Sequence, residues 1–189
     1  MKTIKRGAMD GAAFFIVYAF HRMIQDERAP VSLWLTAASD PTARARLEAI
    51  YQLVADQIEA RGPACWASGR CCNFANAGHR LYVTGLEAAF TIVNLPKLLT
   101  LEDVANAESR GDCPFLLANL CAVHTIKPLG CRVYFCDRSA QTWQHEVSER
   151  ALAMIRALHE QFGVPYRYGE WRAMLRLFCE PADSNDAMT

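Results

Sequence analysis

The stretch "CWASGRCCN" at residues 65–73 places Cys65, Cys71 and Cys72 within eight positions, and all of the chain's eight cysteines except Cys179 fall between residues 65 and 136. Thiols gathered this densely limit the available folds more than any hydrophobic pattern does. They must be disulfide partners, buried packing groups, catalytic nucleophiles or metal ligands. Residues 111–140, which carry Cys113, Cys121, Cys131 and Cys136, are also broken by Gly111, Pro114, Pro128 and Gly130. Such a segment reads as loop held by something other than its own periodicity.

Which fate the thiols take depends on the compartment. The opening "MKTIKRGAMDGAAFFIVYAF" has a basic start and an apolar stretch over Ala12–Phe20, superficially like a signal peptide. Asp10 interrupts the run, no small-residue cleavage site precedes His21 and Arg22, and the stretch falls well short of the roughly 20 residues that span a bilayer. The reading is a buried N-terminal helix in a cytoplasmic protein, with no membrane partner. In a reducing compartment eight cysteines point to metal binding or catalysis rather than to a disulfide framework.

A chain of 189 residues, 52% hydrophobic and 21% charged, suits one folded domain over 1–189. Lys and Arg number 20, as do Asp and Glu, so no net field exists to hold a nucleic acid by counterion release. The periodicity predicts helices. One runs from near Asp40 to Arg61, with Asp40 as N-cap, Pro41 in the first turn and Gly62 as terminator; Leu47, Ile50, Tyr51, Val54 and Ile58 form its buried face. After a short extended "LYV", Thr84 and Glu87 occupy the two positions of a capping box and open a second helix at Gly85. Thr100 starts a short helix that ends near Gly111. An amphipathic helix spans Thr142–Phe162, with Val147, Ala151, Ile155, Leu158 and Phe162 on one face, and a last helix covers Glu170–Phe178. The tail, 181–189, is polar and expected to be disordered. The fold class that results is mainly α with little β, two cysteine-rich irregular loops within 63–140 converging on a metal site.

Soft thiolates suit zinc, iron and iron–sulfur clusters, because the metal–sulfur bond offsets deprotonation and the ordering of the loop. Short spacings such as Cys65 to Cys71 and Cys131 to Cys136 let one turn deliver two sulfurs. Adjacent side chains normally diverge, so Cys71 and Cys72 are expected to serve different metals, a cluster edge, or one ligand beside one packed thiol. His124, three residues after Cys121, is either a ligand or a loop histidine; His79 is a weaker candidate, and Cys179 reads as a packing thiol. Arg132 and Lys127 stand where they would offset the negative charge of a sulfur site, or are solvated loop charges.

The stretch "CWASGRCCNFANAGHRLYVTGLE", followed by "CPFL", "CAVHTIKPLGCR" and Cys136, resembles the YkgJ-type cysteine-cluster proteins, the zinc- or iron-chelating CxxCxxCC family. The blocks occur in the family's order over residues 65–136. The resemblance implies a metal or cluster bound by Cys65, Cys71, Cys72, Cys113, Cys121 and Cys131, with Cys136 in addition. It also marks departures: Ser68 stands at a family cysteine position, His124 at a tyrosine and Lys127 at an arginine.

The leading function is therefore a protein that chelates iron, as an iron–sulfur cluster or otherwise, or zinc. One alternative is a cluster-dependent enzyme of methyltransferase type, since flagellin lysine-N-methylase shares this kind of motif; the chain has no G-x-G-x-x-G after a strand, no P-loop and no H-E-x-x-H. Another is a zinc-stabilised module for a protein partner, with "AAFFIVYAF" as the docking element. Glu102 with Asp103 reads as helix-dipole charge, and His145 with Ser148 lacks an oxyanion-forming turn, so neither supports a hydrolase.

Overall fold

A computed structural model describes residues 30–63, 69–135 and 137–179. Ala12–Phe20, Cys65, Ser68, Cys136 and 181–189, on which expectations above fall, lie outside them. Residues 30–39 form helix α1, and α2 follows over Pro41–Arg61. The Asp40 carboxylate accepts the N–H groups of Thr42 and Ala43 at 2.8 and 2.9 Å, satisfying two donors that the first turn leaves free. At the other end Gly62 adopts a left-handed conformation and its N–H closes on the Ile58 carbonyl. Leu47, Ile50, Tyr51 and Val54 are buried as the periodicity predicts, whereas Ile58 is only half-buried, one turn from the helix end.

Short α3, Phe74–Ala77, precedes strand β1, Tyr82–Thr84, which feeds α4, Gly85–Val93. The capping box is present: the Glu87 N–H donates to Thr84 Oγ1 at 3.3 Å and the Thr84 N–H donates to Glu87 Oε2 at 2.9 Å. Helix α4 is short and buried nearly all round, from Gly85 to Thr91, as befits an element enclosed on every side. A Cβ at Gly85 would stand 2.2 Å from the Trp34 ring, so the glycine lets α1 lie directly on α4. Helix α5, Leu101–Arg110, has its own capping box from Thr100 and Asp103 and stops at Gly111.

The 111–140 segment is more ordered than its breakers suggest. It holds a hairpin of β2, Leu116–Leu117, and β3, Leu120–Cys121, and a short helix α6, Leu129–Val133. Then α7, Gln141–Gln161, buries Val147, Ala151, Ile155 and Leu158. Strand β4, Tyr168–Glu170, pairs antiparallel with β1 and leads into α8, Trp171–Phe178. Helix α7 packs on α2 and α6, while α8 packs on α4 and α5. The chain is thus mainly α, with two two-stranded sheets among the described residues.

One core joins these layers, including Trp34, Leu47, Val83, Leu86, Ile155, Trp171 and Leu175. Fully burying each such side chain contributes about 1.5–3 kcal/mol relative to leaving it in water. Among the described residues no helix is long and apolar enough to cross a membrane.

Candidate functional site

Cys71 and Cys72 sit on a 3-10 turn, Arg70–Cys72, which backbone hydrogen bonds fasten to the second cysteine segment. The Cys113 N–H donates to the Cys72 carbonyl at 2.8 Å, and the Ala75 N–H to the Gly111 carbonyl at 2.9 Å. Gly69 brings the hairpin in as well. Its φ is +68°, and a Cβ there would lie 2.7 Å from the backbone oxygen of Asn119. Ala118 and Asn119, with φ of 47° and 63°, form the two-residue turn of the hairpin that ends in Cys121. The contact excludes any side chain, and the backbone conformation favours glycine independently.

Cys131 arrives on α6, whose first N–H is capped from a distance. The Leu129 N–H donates to Glu87 Oε1 at 2.7 Å, the Tyr51 hydroxyl donates to the same oxygen at 3.3 Å, and Thr84 Oγ1 donates to Oε2 at 3.0 Å. One buried carboxylate therefore ties α2, the start of α4 and the start of α6 together. Burial raises the Glu87 pKa, and its hydrogen bonds act in the opposite direction. Tyr51 is likewise pushed well up by burial, and then by the nearby Glu87 charge. Arg132 completes the anchorage: its Cζ lies 3.9 Å from the centre of the Tyr51 ring, and it donates to the carbonyls of Lys127 and Thr125 at 2.8 and 2.9 Å.

Five of the expected cysteines, Cys71, Cys72, Cys113, Cys121 and Cys131, come together in this way. Cys71, Cys72, Cys121 and Cys131 line a cavity of about 160 Å³, with His124 and Lys127 on its wall. Cys113 is buried behind Cys72. The adjacent pair does not diverge as expected: the sulfurs of Cys71 and Cys72 are 4.0 Å apart, because the 3-10 turn replaces the extended backbone that would splay them. Two sulfurs on one tetrahedral zinc stand about 3.8 Å apart, given a zinc–sulfur bond near 2.3 Å.

The sulfurs share protons unequally. The Cys72 thiol interacts with Cys113, Cys121 and Cys71, which pushes its own pKa up. Hydrogen bonding with Cys72, whose single hydrogen serves one neighbour at a time, is the main reason that Cys71 and Cys121 are lowered to about 6, and the positive charge of Lys127 contributes to both. Cys113 is lowered for the same reason, against its burial, with the Trp171 indole adding to the effect. Burial, followed by the charges on Cys113 and Cys121, pushes Cys131 well up.

Among the described residues no group of three or more His, Cys, Asp or Glu side chains stands ready to hold an ion. The thiols are gathered around shared hydrogens, and coordination requires those protons to leave and the sulfurs to draw inward. The donor set otherwise suits a soft metal: several thiols, Cys71 and Cys121 among them lowered to about 6, with Lys127 and Arg132 beside them.

The remaining candidates fall apart from the cavity or on its edge. His124 Nε2 lies 3.2 Å from Lys127 Nζ, and that cation is the main cause of its lowered pKa. His79 stacks on Tyr134 with ring centres 4.5 Å apart and does not line the cavity. Cys179 is buried and donates to the Leu175 carbonyl at 3.4 Å, as a packing thiol does. Sequence reasoning missed the reach of Glu87 beyond its own helix, the stack of Arg132 on Tyr51, and Gln144. Gln144 accepts from the Phe135 N–H and donates to the Phe135 carbonyl, both at 3.3 Å, fixing the loop after α6.

The chain matches no protein-family model, no curated protein and no solved structure with which it was compared.

Proposed function

We propose that this protein binds iron, as an iron–sulfur cluster or as single ions, or zinc, through Cys71, Cys72, Cys113, Cys121 and Cys131, joined by Cys65 and Cys136. The observation that carries the reading is the convergence of thiols from three separate segments on one small cavity, fastened by Gly69, the Cys113–Cys72 backbone bond and Glu87. Thiols already lowered to about 6 at Cys71 and Cys121 reduce the cost of deprotonation at neutral pH. Zinc held there would cross-link the loops, and an iron–sulfur cluster would add an electron-accepting centre.

The protein's own groups support binding in two ways. Lys127 and Arg132 offset the negative charge of several thiolates, and Glu87 with Arg132 holds α6 so that Cys131 meets its partners. The order of the cysteine blocks supports assigning the chain to the YkgJ-type family, and a reducing, cytoplasmic setting would keep the thiols available. The test is metal and acid-labile sulfide analysis of anaerobically purified protein beside Cys71→Ala, Cys113→Ala and Cys131→Ala. Loss of bound metal in these variants is expected; an unchanged metal content in all three would overturn the proposal.

A further inference from the structure

A second, wider cleft of about 460 Å³ adjoins the cysteine cavity, and the two share a wall made by His124, Lys127, Arg132 and Phe135. Its other side is the apolar flank of α2, at Tyr51, Ala55 and Ile58. The wall is basic, and its negative neighbours are the exposed Glu59 and, on the cavity side, the sulfurs of Cys71 and Cys121. Among the described residues neither Lys127 nor Arg132 forms an ion pair with a carboxylate. Glu87, buried nearby, already accepts from Thr84, Tyr51 and Leu129, and Glu59 is the acidic residue of the cleft lining and is exposed.

Arg132 has its Nε and one terminal nitrogen committed to backbone carbonyls and its face on Tyr51, so it is a fixed charge. Lys127 is half-buried, with His124 Nε2 3.2 Å from its Nζ, and faces both the cysteine cavity and the cleft. Two cations beside aromatic and aliphatic surface form the usual pattern of a small-molecule site, where apolar walls hold the body and few polar groups set its orientation.

We infer that this cleft binds a small organic anion, a carboxylate on a flat apolar body, with the carboxylate on Lys127 and Arg132 and the body against Ala55, Ile58 and Phe135. Binding there sets an anion at the edge of the cysteine cavity. The inference holds whichever metal the sulfurs carry.

Benzoate and its neutral analogue benzyl alcohol are the probes, titrated calorimetrically into the full-length protein as isolated, with metal content recorded for each sample. Benzoate is expected to bind at least about tenfold more tightly than benzyl alcohol at low salt, with the preference shrinking as salt screens the charge. Lys127→Met should abolish the preference and Lys127→Arg should keep it. Equal binding of the two probes by the unaltered protein, or an undiminished preference in Lys127→Met, would overturn the inference; so would loss of the preference in Lys127→Arg. Because metal is measured independently of either probe, an absent preference in metal-replete protein refutes the anion site alone, and metal-free protein with the preference intact refutes only the proposed function.

Discussion

Gly69 determines how closely the hairpin bearing Cys121 approaches the turn bearing Cys71 and Cys72. A Cβ at this position meets the Asn119 backbone at 2.7 Å, and the left-handed conformation itself costs a non-glycine residue about 1–2 kcal/mol. Gly69→Ala should therefore lower stability by at least about 1 kcal/mol and weaken metal retention together, read from urea unfolding and metal analysis of the same preparation. Unchanged values of both would show that the two segments tolerate separation. The thiols provide a second residue-scale prediction. Cys71 and Cys121 are lowered to about 6, so in metal-free protein this pair should carry thiolate at neutral pH and lose reactivity as pH falls below that value. Alkylation by iodoacetamide, followed site by site by mass spectrometry, should reach half its maximal rate near pH 6 at these two positions. Cys131, pushed up by burial, should stay unreactive at neutral pH. A uniform profile centred near the ordinary thiol value of 9.0 would contradict the shared-proton arrangement.

At the scale of elements, each long helix depends on its ends. Asp40 satisfies two donors of α2, and Asp40→Ala should cost about 0.5–2 kcal/mol in urea unfolding, with no loss of bound metal because the cap lies away from the cysteines. This cap was readable in the sequence, as were the Thr84–Glu87 box, the Thr100 start and the buried faces of α2 and α7, because all of these are contacts within a few residues along the chain. The pieces that escaped reading depend on partners far apart. Helix α6 has no side-chain cap of its own; its first N–H is met by Glu87, 42 residues away, so a segment rich in breakers reads as loop. Strand β4 is legible only beside β1, and the hairpin turn at Ala118–Asn119 lacks the glycine that usually marks one. The cysteines' gathering was legible from type and spacing, but their geometry was not. The adjacent pair was expected to diverge, and the 3-10 turn that aims Cys71 and Cys72 together has no sequence signal of its own.

Across the whole molecule, the cysteine segments and the helical scaffold draw on different sources of order. Helices α2 and α7 pack on each other and supply Leu47, Val54, Val147 and Ile155 to the buried core, whereas the two cysteine segments meet through a few backbone bonds and a shared set of thiols. Chelation should accordingly loosen residues 63–80 and 111–140 while α7 stays formed, visible as faster hydrogen exchange confined to those segments. Unchanged protection there would mean that metal contributes nothing to their order. The most direct test of the central claim is the metal and sulfide content of the anaerobically purified full chain, with Cys113→Ala beside it. Iron or zinc in stoichiometric amount, lost in the variant, is the predicted result; folded protein free of metal, or a variant retaining its full complement, would contradict it.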